Sequence, residues 1–198
     1  YFGGGNAGST SAEIDGIDFS TEAAINPSTI LVARYYLAGV SSSSKGYFGG
    51  GTTGTYSSEI DGIDFVTEAA INPSATLSVA RYALAGVAPL ISTPVVTPTP
   101  TGTLPTPTPT TTPSTPSVSG KGYFGGGYIG QPGSTSEIDG INFQTEVATN
   151  TSTALSVARA YLAGVSSVLK GYFGGGFSWN PVGNINEIDG IDFSTEAA

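Results

Sequence analysis

Histidine, cysteine and methionine are absent from this 198-residue chain. Their absence excludes disulfides, thiol nucleophiles, thiolate or imidazole metal sites and every triad that turns on a histidine. Charge is scarce, at 11% of residues, and basic charge scarcer still: six Lys and Arg stand against 15 Asp and Glu, for a net charge of −9. A basic face for nucleic acid cannot be built from that set. No apolar run reaches the roughly 18 residues that a membrane-spanning helix needs, so no membrane span is expected. The first residue is Tyr1, which leads to the expectation of a processed chain or a window from a longer one. What is abundant is glycine (29 residues), proline (13) and aromatic side chains (10%). Low charge with many aromatics points to a β-rich folded chain rather than a charged disordered one.

Internal similarity dominates what is present. Tyr-Phe-Gly-Gly-Gly starts at Tyr1, Tyr47, Tyr123 and Tyr172. Glu-Ile-Asp-Gly-Ile-(Asp/Asn)-Phe starts at Glu13, Glu59, Glu137 and Glu187, followed each time by a Thr-Glu pair ending at Glu22, Glu68, Glu146 and Glu196. Ala-Arg-x-x-Leu-Ala-Gly-Val surrounds Arg34, Arg81 and Arg159. Every charged residue falls on one of these repeated positions, with Asn142 once in place of an acid. A catalytic centre needs a unique, asymmetric constellation, so this regularity favours a structural role and no enzyme.

Each frame divides into four short apolar segments between Gly, Asn, Pro and Ser clusters, as in Leu37–Ser41, Gly46–Gly49, Glu59–Phe65 and Val66–Ile71. Such runs predict strands, and four strands in about 47 residues, repeated, predict a propeller blade. Ile14 and Ile17 have opposite parity, so both faces of their strand carry apolar groups, as a strand between stacked sheets requires. In this frame the chain begins on a second strand and ends on a fourth.

These three motifs together resemble the repeats of kelch-type β-propellers. Tyr-Phe-Gly-Gly-Gly is similar to the kelch aromatic strand that ends in a double glycine, and Ala80–Val87 is similar to the Arg-containing strand that opens the next blade. The resemblance covers everything outside a Thr/Pro insertion. It departs where kelch blades usually carry a Trp, since Ala23, Ala69 and Ala197 stand there. It implies an all-β fold of kelch-like, four-stranded antiparallel blades, interrupted by a polyproline II segment. The expected organisation is blades over 1–91, a linker over 92–120 and blades over 121–198. Two arrangements stay open: separate propellers on either side of the linker, or both halves joined in one unit whose missing strand comes from a neighbour.

The insertion, 92–119, contains 11 Thr, four Ser and eight Pro and no charge. Alternating Thr-Pro prefers polyproline II, which would extend it to about 85 Å. Ser/Thr tracts with Pro have the composition of O-glycosylated stalks, the alternative being an unmodified spacer. The candidate acceptors are Thr93, Thr97, Thr99, Thr101, Thr103, Thr106, Thr108, Thr110, Thr111, Thr112, Ser114, Thr115 and Ser117, with Asn150 in the single usable N-glycosylation sequon.

Three further groups carry candidate chemistry. Arg34, Arg81 and Arg159 are expected to form structural ion pairs with the Thr-Glu glutamates Glu22, Glu68 and Glu146. The Asp15/Asp18, Asp61/Asp64 and Asp189/Asp192 pairs suit neither a glycosidase nor a calcium loop, because they recur beside apolar residues without further ligands. No metal and no cofactor is expected. Trp179, in a longer loop, is the candidate ligand-facing aromatic, whereas Tyr47 and Phe48 read as core. The functional expectation is a secreted, extracellular, non-enzymatic structural protein whose partners are copies of itself, as a homopolymer or tandem array, and covalent glycans. Its sulfur-free composition suits a long-lived material. The alternative is an adhesin or tail-fibre-like module whose loops bind surface carbohydrates.

Overall fold

Among the described residues short strands follow one another, because Gly, Asn and Ser clusters interrupt every apolar run before it can lengthen. The computed structural model describes residues 1–18, 20–90, 120–131 and 133–197. The described residues are all-β, without helix. The first sheet has the order β1 (Phe2–Asn6), β2 (Thr10–Ile17), β3 (Ala24–Thr29). The second is β4 (Ala38–Ser41), β5 (Lys45–Gly49), β6 (Ile60–Asp64), β7 (Ala70–Ile71). Next come β8 (Ala85–Val87) and β9 (Lys121–Gly125), a hairpin of β10 (Tyr128–Gly130) and β11 (Gly133–Ser134), then β12 (Glu137–Asn142) and β13 (Ala148–Ala154). Strands β8, β9, β12 and β13 form the third sheet. The fourth is β14 (Ala163–Ser166), β15 (Lys170–Gly174) and β18 (Ile188–Asp192), with a hairpin of β16 (Phe177–Trp179) and β17 (Val182–Asn184) between its last two strands. All pairing is antiparallel.

Strand β8 precedes the Thr/Pro tract and β9 follows it, yet Ala85 pairs with Gly125 and Val87 with Tyr123. The tract therefore interrupts the sequence of one sheet and does not separate two sheets. Residues 91–119 themselves, with the linker and Ser/Thr glycosylation expectations that fall on them, lie outside the described residues. The fourth segment of each repeat is less regular than expected: residues 65–67 turn, and β7 is only two residues long, against six in β3 and seven in β13. The last sheet has three strands among the described residues, where the frame predicted a fourth-strand ending.

The sheets stack face to face with the same contacts each time. One core cluster joins Ile14 of the first sheet to Phe48 and Ile63 of the second. The next joins Ile60 of the second to Phe124 and Ile141 of the third. A third joins Ile138 of the third to Phe173 and Ile191 of the fourth. The two Ile residues of Glu-Ile-Asp-Gly-Ile thus serve opposite faces, and both are fully buried in the second and third sheets. The Phe of each sheet lies over a glycine of the preceding one. A Cβ at Gly3 would stand 3.0 Å from the Phe48 ring, at Gly49 2.9 Å from Phe124 and at Gly125 2.8 Å from Phe173, so only glycine admits these rings.

Candidate functional site

The three arginines are wholly buried, each just ahead of the first strand of a sheet. Their partners correct the sequence expectation. Arg34 Nη1 meets Asp61 Oδ2 at 2.5 Å, Arg81 Nη2 meets Asp139 Oδ2 at 2.8 Å and Arg159 Nη2 meets Asp189 Oδ2 at 2.6 Å. Glu22, Glu68 and Glu146 take no part in these pairs. The register explains the choice. Phe48, Phe124 and Phe173 lie directly across from Asp61, Asp139 and Asp189, and each guanidinium also donates to that Phe carbonyl, at 3.0 to 3.1 Å. One planar fork thereby bridges two neighbouring strands. Burial lowers the Arg81 pKa while Asp139 opposes the shift. At Asp189 burial acts upward, but hydrogen bonds from Arg159 and Ser156 hold the carboxyl below its ordinary range.

The second Asp of each pair has a separate task. Asp64 Oδ1 accepts from the Val66 and Thr67 amides, and Asn142 Oδ1 accepts from Gln144 and Thr145 in the same way. The turn needs an acceptor and not a charge, which accounts for Asn142. The paired carboxylates are thus divided between two unrelated roles. Among the described residues no group of three or more Asp or Glu is placed to hold a metal ion.

Each of these turns carries its glutamate in the left-handed region, at φ 57° for Glu22, Glu68 and Glu196 and 59° for Glu146. A non-glycine residue there is held by its surroundings. The glutamates do form polar contacts, though with lysine and tyrosine rather than arginine. Glu146 Oε1 accepts from Lys45 Nζ at 2.5 Å and Tyr47 Oη at 3.1 Å. Glu196 Oε1 accepts from Lys121 Nζ at 2.6 Å and Tyr123 Oη at 2.9 Å. Glu68 Oε1 accepts from Tyr1 Oη at 3.0 Å. Every contact runs from one sheet to the next. The Lys121 hydrogen bond holds Glu196 below the ordinary carboxylate range, and burial, with Glu146 beside it, pushes the Tyr47 hydroxyl up. The lysine and tyrosine roles were missed in the sequence, although a single Lys two residues before each of the last three Tyr-Phe-Gly-Gly-Gly tyrosines was a visible signal.

Trp179 is half-buried in an aromatic cluster. Its ring centroid lies 4.6 Å from Tyr128, 4.8 Å from Phe177 and 6.3 Å from Tyr161. Tyr82 continues the cluster, 5.3 Å from Tyr128 and 5.8 Å from Tyr36. Tyr36, Ala83 and Tyr161 are equivalent residues, all at positive φ and linked by Ala83 N–H to Tyr36 and Tyr161 N–H to Ala83 carbonyls. Burial and the Tyr161 hydroxyl push the Tyr82 pKa up to about 12. Tyr36 and Tyr161 stay more than half exposed, so ring faces reach solvent. Asn150 is exposed on β13, and its amide nitrogen donates to Glu137 Oε2 at 2.9 Å. Tyr47 and Phe48 are core residues.

No protein-family description matches the sequence, and no curated protein is recognisably similar to it. Among solved structures the chain is similar to that of YjhT, with a TM-score of 0.52 and 14% sequence identity over 76% of this chain and 36% of that one. The chain therefore spans little more than a third of that structure's length, and at this identity the likeness is one of fold alone.

Proposed function

We propose that the chain is a non-enzymatic, extracellular structural repeat protein built of kelch-like propeller blades, a unit of a glycosylated fibre or surface filament. The observation that carries this reading is the use to which the polar groups are put. Arg34, Arg81 and Arg159 each lock a sheet to the segment that opens it, and Lys45 and Lys121 each tie one sheet to the next. These are repeated joints rather than a single reacting constellation. The Thr/Pro tract supplies acceptors for O-linked sugars, which would set spacing and hydration. Intact mass of the native material before and after chemical deglycosylation tests the reading. A large, heterogeneous mass that collapses in sugar-sized steps is expected, and a single unmodified 19.9 kDa species overturns it.

A second reading has its own support. The exposed rings of Tyr36 and Tyr161, 6.3 Å apart and with Trp179 against Tyr161, form the kind of aromatic platform on which sugar rings stack. On that reading the module is an adhesin for surface carbohydrates. Reproducible glycan-array binding that is lost on Trp179→Ala supports it, and an array without binding removes it.

A further inference from the structure

The side chains that oxidise most easily, cysteine and methionine, are absent from this chain. One-electron oxidation then falls on the phenols and the indole: ten tyrosines and Trp179. Six of those tyrosines join Trp179 in one aromatic cluster, each ring centroid within 6.3 Å of another. Three of the other four, Tyr1, Tyr47 and Tyr123, stack on phenylalanines instead. The fold thus sets most of the chain's phenols against one another at a single place.

Two of these rings meet across a gap. Tyr36, Ala83 and Tyr161 hold equivalent places ahead of β4, β8 and β14, at φ of 57°, 54° and 57°. Ala83 N–H donates to the Tyr36 carbonyl at 2.9 Å and Tyr161 N–H to the Ala83 carbonyl at 2.8 Å, so the three backbones form a ladder. Alanine brings no ring to the middle rung. The Tyr36 and Tyr161 rings therefore face each other over it, with centroids 6.3 Å apart and planes at 85°. At 55% and 53% they are the most exposed rings of the cluster. Tyr82 is partly buried and wedged among Tyr36, Tyr56, Tyr128 and Tyr161, which holds its ring in place. The exposed pair keeps the freedom to turn about its side-chain bonds.

We infer that Tyr36 and Tyr161 are a covalent cross-linking site, joined as dityrosine by a haem peroxidase acting with hydrogen peroxide. Each phenol gives up its O–H hydrogen atom, and the two phenoxyl radicals couple through carbons ortho to the oxygens. One C–C bond forms. The hydrogen on each coupled carbon then moves to its own oxygen, which restores both phenols. The two hydrogen atoms lost reduce the peroxide, whose O–O bond breaks to leave two waters. An enzymatic oxidant reaches exposed phenols first, and coupling needs a second phenol within a short side-chain swing; the gap at Ala83 provides both. The bond ties the segment that opens the second sheet to the one that opens the fourth, across the third sheet whose strands β8 and β9 flank the Thr/Pro tract. A cross-link between residues so distant in sequence narrows the unfolded ensemble, as a disulfide does. It goes beyond the fibre reading and does not depend on it.

Oxidation of the dilute full chain by a haem peroxidase and hydrogen peroxide, followed by denaturation, trypsin digestion and mass spectrometry, tests it. Trypsin cuts after Lys and Arg, so Tyr36 leaves in peptide 35–45 and Tyr161 in peptide 160–170. The expected product is these two peptides joined, two hydrogen atoms lighter than their sum, with dityrosine fluorescence. The oxidised chain should also melt at a higher temperature than the untreated one. Tyr36→Phe and Tyr161→Phe should each abolish the joined pair, whereas Tyr35→Phe, in the same peptide as Tyr36, should keep it. Ala83→Phe, which fills the gap with a ring that cannot couple, should lower its yield severalfold in a chain shown by its melt to be folded. The inference is overturned if no joined pair forms, if Tyr36 couples instead to Tyr82 in peptide 82–121, or if the tyrosines link only between molecules. A yield undiminished in folded Ala83→Phe overturns it as well.

Discussion

Leu31 lines a small pocket with Asp61, in the position where the next two repeats place Ser78 and Ser156. Those serines donate to Asp139 and Asp189 from both backbone and hydroxyl. Leucine has no hydroxyl to donate, and Asp61 Oδ1 is left buried without a hydrogen-bond partner. The side chain of Leu31 is itself 62% exposed, so little apolar burial would be lost by changing it. Leu31→Ser is expected to stabilise the chain by about 1 kcal/mol by satisfying that oxygen. The midpoint of urea unfolding should rise; an unchanged or lower midpoint contradicts the account.

Asp139→Asn should be severe. It leaves the Arg81 guanidinium buried without its counter-charge, for a loss of about 3–5 kcal/mol. Arg81 Nε and Nη1 already lack partners, and Nη2 would keep only the uncharged Phe124 carbonyl. Asp64→Asn is the matched control. Its counterpart Asn142 performs the same turn closure with an amide oxygen, so the unfolding midpoint should not move. Equal effects of the two substitutions would refute the division of roles between the paired acids.

Gly125→Ala places a Cβ 2.8 Å from the Phe173 ring, a contact that forces the ring or the strand to move. Overpacking of this kind costs about 1–3 kcal/mol. Thermal unfolding of this variant beside Gly174→Ala separates close approach from strand propensity. Only the first should fall markedly, because Gly174 faces open space on that side.

Acid should loosen both the fourth sheet, through Asp189 and Arg159, and its contact with the third, through Glu196 and Lys121. Glu196 and Asp189 both have pKa values held below their ordinary 4.5 and 3.8, so folding stabilises their ionised forms. That contribution is complete above the ordinary values and is lost as pH falls through the depressed ones. Denaturant midpoints measured from pH 7 to pH 2 should therefore decline below about pH 4.5. Lys121→Met should flatten the part of the decline that Glu196 contributes, and a profile unchanged by that substitution counts against the pair.

Much of the architecture was legible in the residues. Short Gly- and Asn-bounded runs could form only short strands, and the opposite parity of Ile14 and Ile17 already required a sheet with two apolar faces. The repetition of Arg34, Arg81 and Arg159 in every frame marked them as members of partly buried ion pairs, though with the wrong acids; their complete burial came only with the structure.

Which acid each arginine meets was decided by tertiary structure. Every repeat offers four acidic or amide positions at similar sequence distance, and only the strand register, which sets Phe124 opposite Asp139, selects one. The same holds for the glutamates, whose partners lie one sheet onward: Lys45 and Glu146 are 101 residues apart, with the Thr/Pro tract between them. Sequence alone determined the repeat, its strands and its supply of charges. Stacking determined the pairings, because a repeated contact is completed only where another sheet lies against it.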